Sequence, residues 1–367
     1  MAHDVTLIPG DGIGPEVVEA ARRVLEATGV ELAWDVQPIG QPALDAGAGA
    51  AIPDVLLASV RRTGVALKGP VSTSRTGGFP SPNTGLRRAL GLFAQVRPTR
   101  TLPGVESAYP GLDVAVIRET TEDLYAGVEF AAGSAGAEAI AEAARRHGAV
   151  LAPRSAVSLK PVTEAAVDRM MSFAVAWARE HGRQRITVAH KATVMRATDG
   201  IYLDAGRRMA AENPDLQIDE MLVDNLAAQL VRHPDDVDVV VTTNQYGDIL
   251  SDLVAGMSGG VGLAPGANHG PGIAVFEAAH GSAPRHAGQD RADPLGVIRS
   301  GALMLRHLGE DDAADRLDEA VSGLLREGHV RTYDLLPPEE AARASGTRSV
   351  ADALVALLHR GTTGARR

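Results

Sequence analysis

Residues 5–16 read Val5-Thr6-Leu7-Ile8, then Pro9-Gly10-Asp11-Gly12, then Ile13-Gly14-Pro15-Glu16. The apolar quartet has the make-up of a short buried strand. The glycines allow a tight turn, and Pro15 suits the first turn of a helix, where its missing N–H has no partner to lose. A helix-like run continues to about Thr28. Strand into helix is the opening half of a parallel β-α-β unit, and the pattern repeats. Residues 31–39 alternate, 53–62 read as a helix, 65–67 as a buried strand and 113–117 as another. Farther on come a helix over 162–180, a strand over 186–189, a helix over 201–211, a strand over 216–222, a helix over 225–232 and the strongly apolar strand 237–241. Helices near 294–308, 313–326 and 350–359 close the chain. This alternation predicts an α/β fold with a largely parallel sheet.

The glycine loop invites a dinucleotide reading, but Pro15 stands where a G-x-G-x-x-G pattern needs its last glycine. No acidic residue closes a second strand at the expected place either, so a conventional Rossmann site is rejected. The loop is still placed to touch a nucleotide. The Gly/Pro-rich stretch 259–272 reads as a crossover between domains. Residues 131–152, low in complexity, read as an arm or a partner-contacting insertion. There is no internal repeat.

At 367 residues the chain fits two domains or one large α/β body. Aromatics are only 3% of residues, so the core has to be built from Val, Leu, Ile and Ala. A formal charge of −10 argues against a nucleic-acid partner, which needs a basic surface. The absence of cysteine excludes a disulfide framework, a thiolate nucleophile and a Cys-ligated zinc. Met1-Ala2-His3-Asp4 runs straight into the first strand, and no segment approaches the roughly 18 apolar residues of a membrane span. A cytoplasmic protein without a membrane partner is expected.

Of 36 basic residues only Lys68, Lys160 and Lys191 are lysine. A solvated cation can be either type, so lysines that survive such a bias toward arginine mark positions needing a compact, titratable ammonium. Each is a candidate functional residue.

The strongest local signal is Asn244-Gln245-Tyr246-Gly247-Asp248-Ile249-Leu250-Ser251-Asp252, which leaves an apolar strand and opens a helix. Asp248 and Asp252, four apart, share a helical face, where like charges repel by a few tenths of a kcal/mol. The bland account is a solvated acidic face, or carboxylates complementing the helix dipole. The sharper one is a hard divalent cation, with Asp224 as a third carboxylate. A second cluster, Ser81-Pro82-Asn83-Thr84-Gly85-Leu86-Arg87, Arg97-Pro98 and Arg118-Glu119, brings three guanidinium groups into an acidic chain. Such a set suits a small substrate with several carboxylates.

Eight motifs in order resemble the isocitrate/isopropylmalate dehydrogenase family over nearly the whole chain. They are Lys68-Gly69-Pro70, Ser81-x-Asn83-x-x-Leu86-Arg87, Arg97-Pro98, Ile117-Arg118-Glu119-Thr120-Thr121-Glu122, His190-Lys191-Ala192, Asn244 to Asp252, Leu263 to Asn268, and Glu277 to Pro284. The resemblance implies two domains around a parallel-rich sheet, one of residues 1–99 plus 260–367 and a smaller one of 100–259. It also implies a homodimer with shared active sites, in which Lys191 and Asp224 reach into the neighbour's cleft.

The resemblance also implies roles. Ser81, Asn83, Arg87, Arg97 and Arg118 would hold substrate carboxylates, with Lys68 nearby. Asp248 and Asp252, with the other copy's Asp224, would bind Mg²⁺ or Mn²⁺. Lys191 with Asp224 would take the hydroxyl proton, and Tyr125 would protonate the enol at carbon. Ile13, Glu277, His280, Gly281, Ser282, Ala283, Arg285, His286, Asp293 and Tyr333 would line the nucleotide site. Arg285 and His286 follow Pro284 where NAD-using members tend to carry Asp, so NADP is favoured over NAD. Ser81 and Asn83 favour isocitrate, with homoisocitrate or a related tricarboxylate as the alternative; an isopropyl group would leave those polar side chains unpaired. A non-catalytic regulatory subunit is the alternative of another class. Thr120, Thr193, Asp293 and Pro80 depart from the family's usual residues.

Overall fold

The computed structural model describes residues 2–72 and 81–364, with side chains to Arg360; Pro80 lies outside the described residues. Among the described residues there are twelve strands: β1 (His3–Ile8), β2 (Leu32–Val36), β3 (Val65–Lys68), β4 (Ala94–Arg100), β5 (Asp113–Glu119), β6 (Glu129–Phe130), β7 (Val157–Ser158), β8 (Arg185–His190), β9 (Gln217–Leu222), β10 (Val239–Thr242), β11 (Ala267–Gly270) and β12 (Ile273–Glu277). The helices are α1 (Gly14–Glu26), α2 (Gln41–Asp45), α3 (Asp54–Thr63), α4 (Pro82–Leu90), α5 (Ala135–Arg146), α6 (Glu164–Glu180), α7 (Asp199–Glu212), α8 (Val223–Arg232), α9 (Asn244–Met257), α10 (Leu295–His307), α11 (Asp311–Glu327) and α12 (Thr347–Gly364).

Ten strands form one sheet in the order β2-β1-β3-β12-β11-β4-β5-β10-β8-β9; β6 and β7 pair separately. The blocks β2-β1-β3-β12 and β5-β10-β8-β9 are each parallel. Between them β11 pairs antiparallel with β12 and β4, and β4 with β5, so the two parallel blocks run in opposite directions. The α/β class and the parallel-rich sheet expected from residues 5–16 are what the chain forms.

Four differences from the sequence reading have physical causes. Residues 259–272 are not a bare crossover, since they contain β11; the run Ala267-Asn268-His269-Gly270 has too little apolar character to announce a strand. β4 also escaped notice because Pro98 interrupts its polar–apolar alternation. Residues 131–152, expected as an arm or insertion with no element named, carry α5, whose Gly136 lies against Phe130 of β6. Asp224 sits inside the first turn of α8, not before it.

The sheet is covered on both faces, as its parallel blocks require. α1, α10, α11 and α12 pack with Leu67, Ala267 and Phe276, and α3 and α4 cover the opposite face of the same block. α6 and α7 pack with Val96, Ile117 and Val241, with α8 and α9 on the reverse side. Among the described residues no helix is long and apolar enough to cross a membrane.

Candidate active site

Strand register assembles the centre of the site. Directly paired residues share a face of the sheet, and residues two apart on one strand do too. Leu67, Phe276, Ala267, Val96, Ile117 and Val241 therefore form one apolar row. The opposite face carries polar side chains across the same strands: Lys68 beside Glu277, Asn268 beside Gln95, Gln95 beside Arg118, and Arg97 one step along β4. The alternation Ala94-Gln95-Val96-Arg97 is this two-faced arrangement written in sequence.

Glu277, only 7% exposed, anchors that stripe. It takes Lys68 Nζ at 2.5 Å, Arg87 at 3.0 Å and Asn268 Nδ2 at 2.9 Å. Burial alone would raise its pKa, but Lys68 and Arg87 outweigh burial and hold it far below the ordinary carboxylate range. Lys68, 2% exposed, also donates to the Gly69 carbonyl at 2.9 Å. Lys68 and Glu277, expected beside substrate and cofactor, are thus engaged mainly with each other. The folded pKa of Glu277 is depressed, so its contribution to stability is present above its unfolded pKa and persists until pH falls through the lower folded value. Glu277→Gln leaves two cations buried without their counter-charge and is expected to cost about 3–5 kcal/mol, read as a fall in midpoint in urea unfolding; an unchanged midpoint would contradict the hub.

Arg97 and Arg118 point from the stripe to α9. Arg97 donates to Ser251 Oγ at 2.7 Å and to Asp252 at 2.5 Å. Arg118, 3% exposed, pairs with Asp248. An added Cβ on Gly247 would lie 2.2 Å from Arg118 Cβ, so glycine there lets α9 settle on β5 and bring Asp248 into reach. Burial, then the neighbouring Arg87 and Arg97 cations, press the Arg118 pKa down to about 10, still charged at neutral pH. Each of Arg97 and Arg118 keeps a buried Nε without a hydrogen-bond partner. The Tyr125 hydroxyl donates to the other oxygen of Asp248 at 2.6 Å. Burial and that carboxylate push the Tyr125 pKa up to about 12. For Asp248, burial is opposed by Arg118, Tyr125 and Arg97, which together leave its carboxyl below the ordinary value.

Lys191 and Asp224 form a second group: Lys191 Nζ lies 2.5 Å from Asp224 Oδ1, and that contact lowers the Asp224 pKa. Asp224 is exposed. Among the described residues of one chain no three His, Asp or Glu side chains stand close enough together to hold a metal ion. Asp248 and Asp252 are brought together and Asp224 is not, the division expected if the third carboxylate comes from another copy. Ser81 precedes α4 and Asn83 lies in its first turn; Asn83 Oδ1 is buried without a hydrogen-bond partner.

The nucleotide-side residues gather elsewhere. The Ile13 N–H donates to the Ser282 carbonyl at 2.9 Å, and an added Cβ on Gly12, at φ 60°, would meet that oxygen at 2.0 Å. Ser282 Oγ lies 2.8 Å from Ser72 Oγ. Ala283 holds φ at 34°, a left-handed turn next to exposed Arg285. His280 Nδ1 lies 3.1 Å from the Gly281 carbonyl, burial lowers its pKa, and its Nε2 has no hydrogen-bond partner. Asp293 accepts the Leu295 N–H at 2.8 Å, while burial and Asp334 push its carboxyl well up. The His286 and Tyr333 rings are 5.5 Å apart. The guanidinium over Tyr333, 4.3 Å from its centroid, belongs to Arg291, which the sequence reading did not single out.

The family model described as isocitrate/isopropylmalate dehydrogenase matches residues 4–354. The chain belongs to that family. It is similar to the isocitrate dehydrogenase [NADP] of Thermus thermophilus, 39% identical over 343 residues, which are 93% of this chain and 65% of that protein. The chain therefore spans just under two thirds of that relative's length. The isocitrate dehydrogenase [NAD] catalytic subunit 5 of Arabidopsis thaliana is 40% identical over 90% of this chain and 83% of that one. The crystal structure of isocitrate dehydrogenase from Methylococcus capsulatus superposes with a TM-score of 0.88 at 41% identity, covering 97% and 99% of the two chains.

The sequence reading missed several members of the site. Gln95 and Ser251 lie within or beside quoted motifs, and the alternation along β4 and the helical spacing from Asp248 were available signals for them. Arg291 had no local signal, because its contact with Tyr333 joins distant segments.

Proposed function

We propose that the chain catalyses the oxidative decarboxylation of isocitrate to 2-oxoglutarate with reduction of NADP, in a cleft between residues 1–99 plus 260–367 and residues 100–259, and that two copies complete each other's sites. The observation that carries this is the convergence of Arg87, Arg97 and Arg118, close enough to depress the Arg118 pKa, facing Asp248, Asp252 and Tyr125. Each of the three has a carboxylate partner of its own, yet the cations still repel one another, and an anion with several carboxylates between them would offset that repulsion. The buried, unpartnered Arg97 Nε–H and Arg118 Nε–H are donors left for it.

Asp248 and Asp252, hard oxygen donors on one helical face, fit Mg²⁺ or Mn²⁺ better than a softer metal. When bound, such an ion would lower the pKa of the substrate hydroxyl and stabilise the negative charge left by loss of CO₂. Lys191, with Asp224 beside it, would carry the hydroxyl proton away. The nicotinamide, when bound, would accept the hydride. Tyr125 keeps its proton throughout the neutral range and so would return one to the enol carbon. Arg97 and Arg118 would exchange part of their contact with Asp252 and Asp248 for the substrate carboxylates.

The test is one series: reduced cofactor formed from isocitrate, homoisocitrate and isopropylmalate, each with NADP and NAD, with and without Mg²⁺. Isocitrate with NADP and Mg²⁺ should be turned over fastest. Preference for homoisocitrate would move the substrate assignment, activity surviving a chelator would remove the metal, and no turnover at all would favour a regulatory subunit.

NADP is supported by Arg285, exposed beside the Ala283 turn, and by Arg291 over Tyr333. A charge-assisted hydrogen bond contributes about 1.5–3 kcal/mol, or about 10–100-fold in affinity. Arg285→Asp and Arg291→Asp should each lower kcat/KM for NADP by about that factor with little change for NAD. If the NADP/NAD ratio is unmoved in both variants, the 2′-phosphate is not read there.

A further inference from the structure

The proposed chemistry has no use for Lys160, and unlike Lys68 it does not belong to the Glu277 cluster. It lies between β7 and α6, with a side chain 12% exposed. Its ammonium is 3.0 Å from Asp123 Oδ1 and 3.3 Å from Asp199 Oδ1, and 4.9 Å from the centroid of the Tyr246 ring. Asp123 is 2% exposed and Asp199 fully buried. Asp123 Oδ1 has no hydrogen-bond partner, so the ammonium is its compensation. A guanidinium is planar and needs more room than a site ringed by two carboxylates and an aromatic face offers a compact ammonium.

The second oxygens of these carboxylates reach the two halves of the catalytic machinery. Asp199 Oδ2 accepts the backbone N–H of Lys191 at 2.7 Å. Asp123 Oδ2 accepts the backbone N–H of Gln245 at 2.8 Å, in the first turn of α9, the helix that carries Asp248 and Asp252. Asp123 also begins the short turn Asp123–Ala126 that bears Tyr125. Its φ of 68° is left-handed, a conformation that persists in a non-glycine residue when surrounding contacts fix it. The Asp123 N–H is held by the Pro161 carbonyl at 3.0 Å, next to Lys160 in the chain.

We propose that Lys160 is a positioning residue: by clamping Asp123 to Asp199 it sets the backbone of Lys191 against that of Tyr125 and α9. The inference rests on the roles proposed above for Tyr125, Lys191 and Asp248. Because Lys191 is expected to serve the other copy's cleft, a single buried cation then ties the geometry of one site to that of its twin. A shift of about 1 Å in a catalytic group costs about 10²-fold in rate, so loss of the clamp falls on kcat while the arginines that bind substrate stay in place.

Lys160→Met should lower kcat by about 10²-fold with KM for isocitrate little changed, and should speed amide hydrogen exchange at Lys191 and Gln245. Removing the cation alone leaves two buried carboxylates uncompensated and can lower stability by itself. The charge-balanced Lys160→Met/Asp123→Asn variant meets this: its melting temperature should recover toward the parent's while kcat stays low. A kcat in that double variant within about threefold of the parent's would show that Lys160 is structural only, and the clamp would be overturned. So would unchanged exchange at both amides in Lys160→Met. A parent without isocitrate turnover would instead sink the proposed function, and the amide exchange would still decide whether the clamp exists.

Discussion

Asp248→Asn is expected to lower turnover by about 10³-fold or more while the protein remains folded. Its carboxylate meets Arg118 with one oxygen and the Tyr125 hydroxyl with the other, and it shares a helical face with Asp252. An amide of nearly the same shape keeps the packing of α9 but loses the negative charge. Three functions go with that charge: the hard oxygen offered to a divalent cation, the counter-ion that keeps Arg118 oriented, and the acceptor that aims the Tyr125 hydroxyl. Arg118, Tyr125 and Arg97 hold the Asp248 pKa below its ordinary value. The sign follows directly: a depressed carboxyl is charged above that value and loses its contribution only as pH falls through it. Asp248 therefore does not limit the parent at mildly acid pH. Steady-state kinetics, a melting curve and Mn²⁺ titration in the presence of isocitrate measure the three losses together. A variant with near-parental kcat would leave Asp248 as an ion-pair partner of Arg118 and nothing more.

How much of this could be read beforehand depends on whether the signal is local. The strand-loop-helix at residues 5–16 and the paired aspartates of α9 are periodic features, and both stand where the sequence put them. β4 and β11 lie at the middle of the sheet, where its direction reverses; Pro98 cuts short the alternation of β4, and β11 has too little apolar character to read as a strand. Polar residues in a central strand look like surface until pairing shows them facing one another. The lysines teach the same point. Scarcity of lysine marked Lys68, Lys160 and Lys191 alike, yet scarcity reports only a need for a compact ammonium. Lys68 meets that need inside the Glu277 hub and Lys160 between two buried aspartates. Lys191, paired with exposed Asp224, is the one left on the surface side. The Arg291 contact with Tyr333 was invisible for a different reason, since tertiary folding alone brings the two segments together.

Within one chain Asp224 pairs with Lys191 and does not complete a three-carboxylate cluster with Asp248 and Asp252, and this leads to the other large effect. If each site draws Asp248 from one copy and Lys191 from its neighbour, two inactive variants should complement each other. Lys191→Met alone removes a proton-transfer group and should reduce kcat by about 10²–10⁴-fold, comparable with the loss in Asp248→Asn. When the two variant chains are co-expressed, a mixed dimer holds one site with both lesions and one with neither. Random pairing makes about half the dimers mixed, each with one working site, so activity should return to about a quarter of the parent's. Purifying the mixed dimer through two different tags should raise this to about half. A site complete within a single chain allows no such recovery, because each chain then carries its own lesion into its own cleft. Recovery in the mixture would place Asp224 and Lys191 across the subunit boundary from Asp248 and Asp252; its absence would require the gap between those groups to close within one chain.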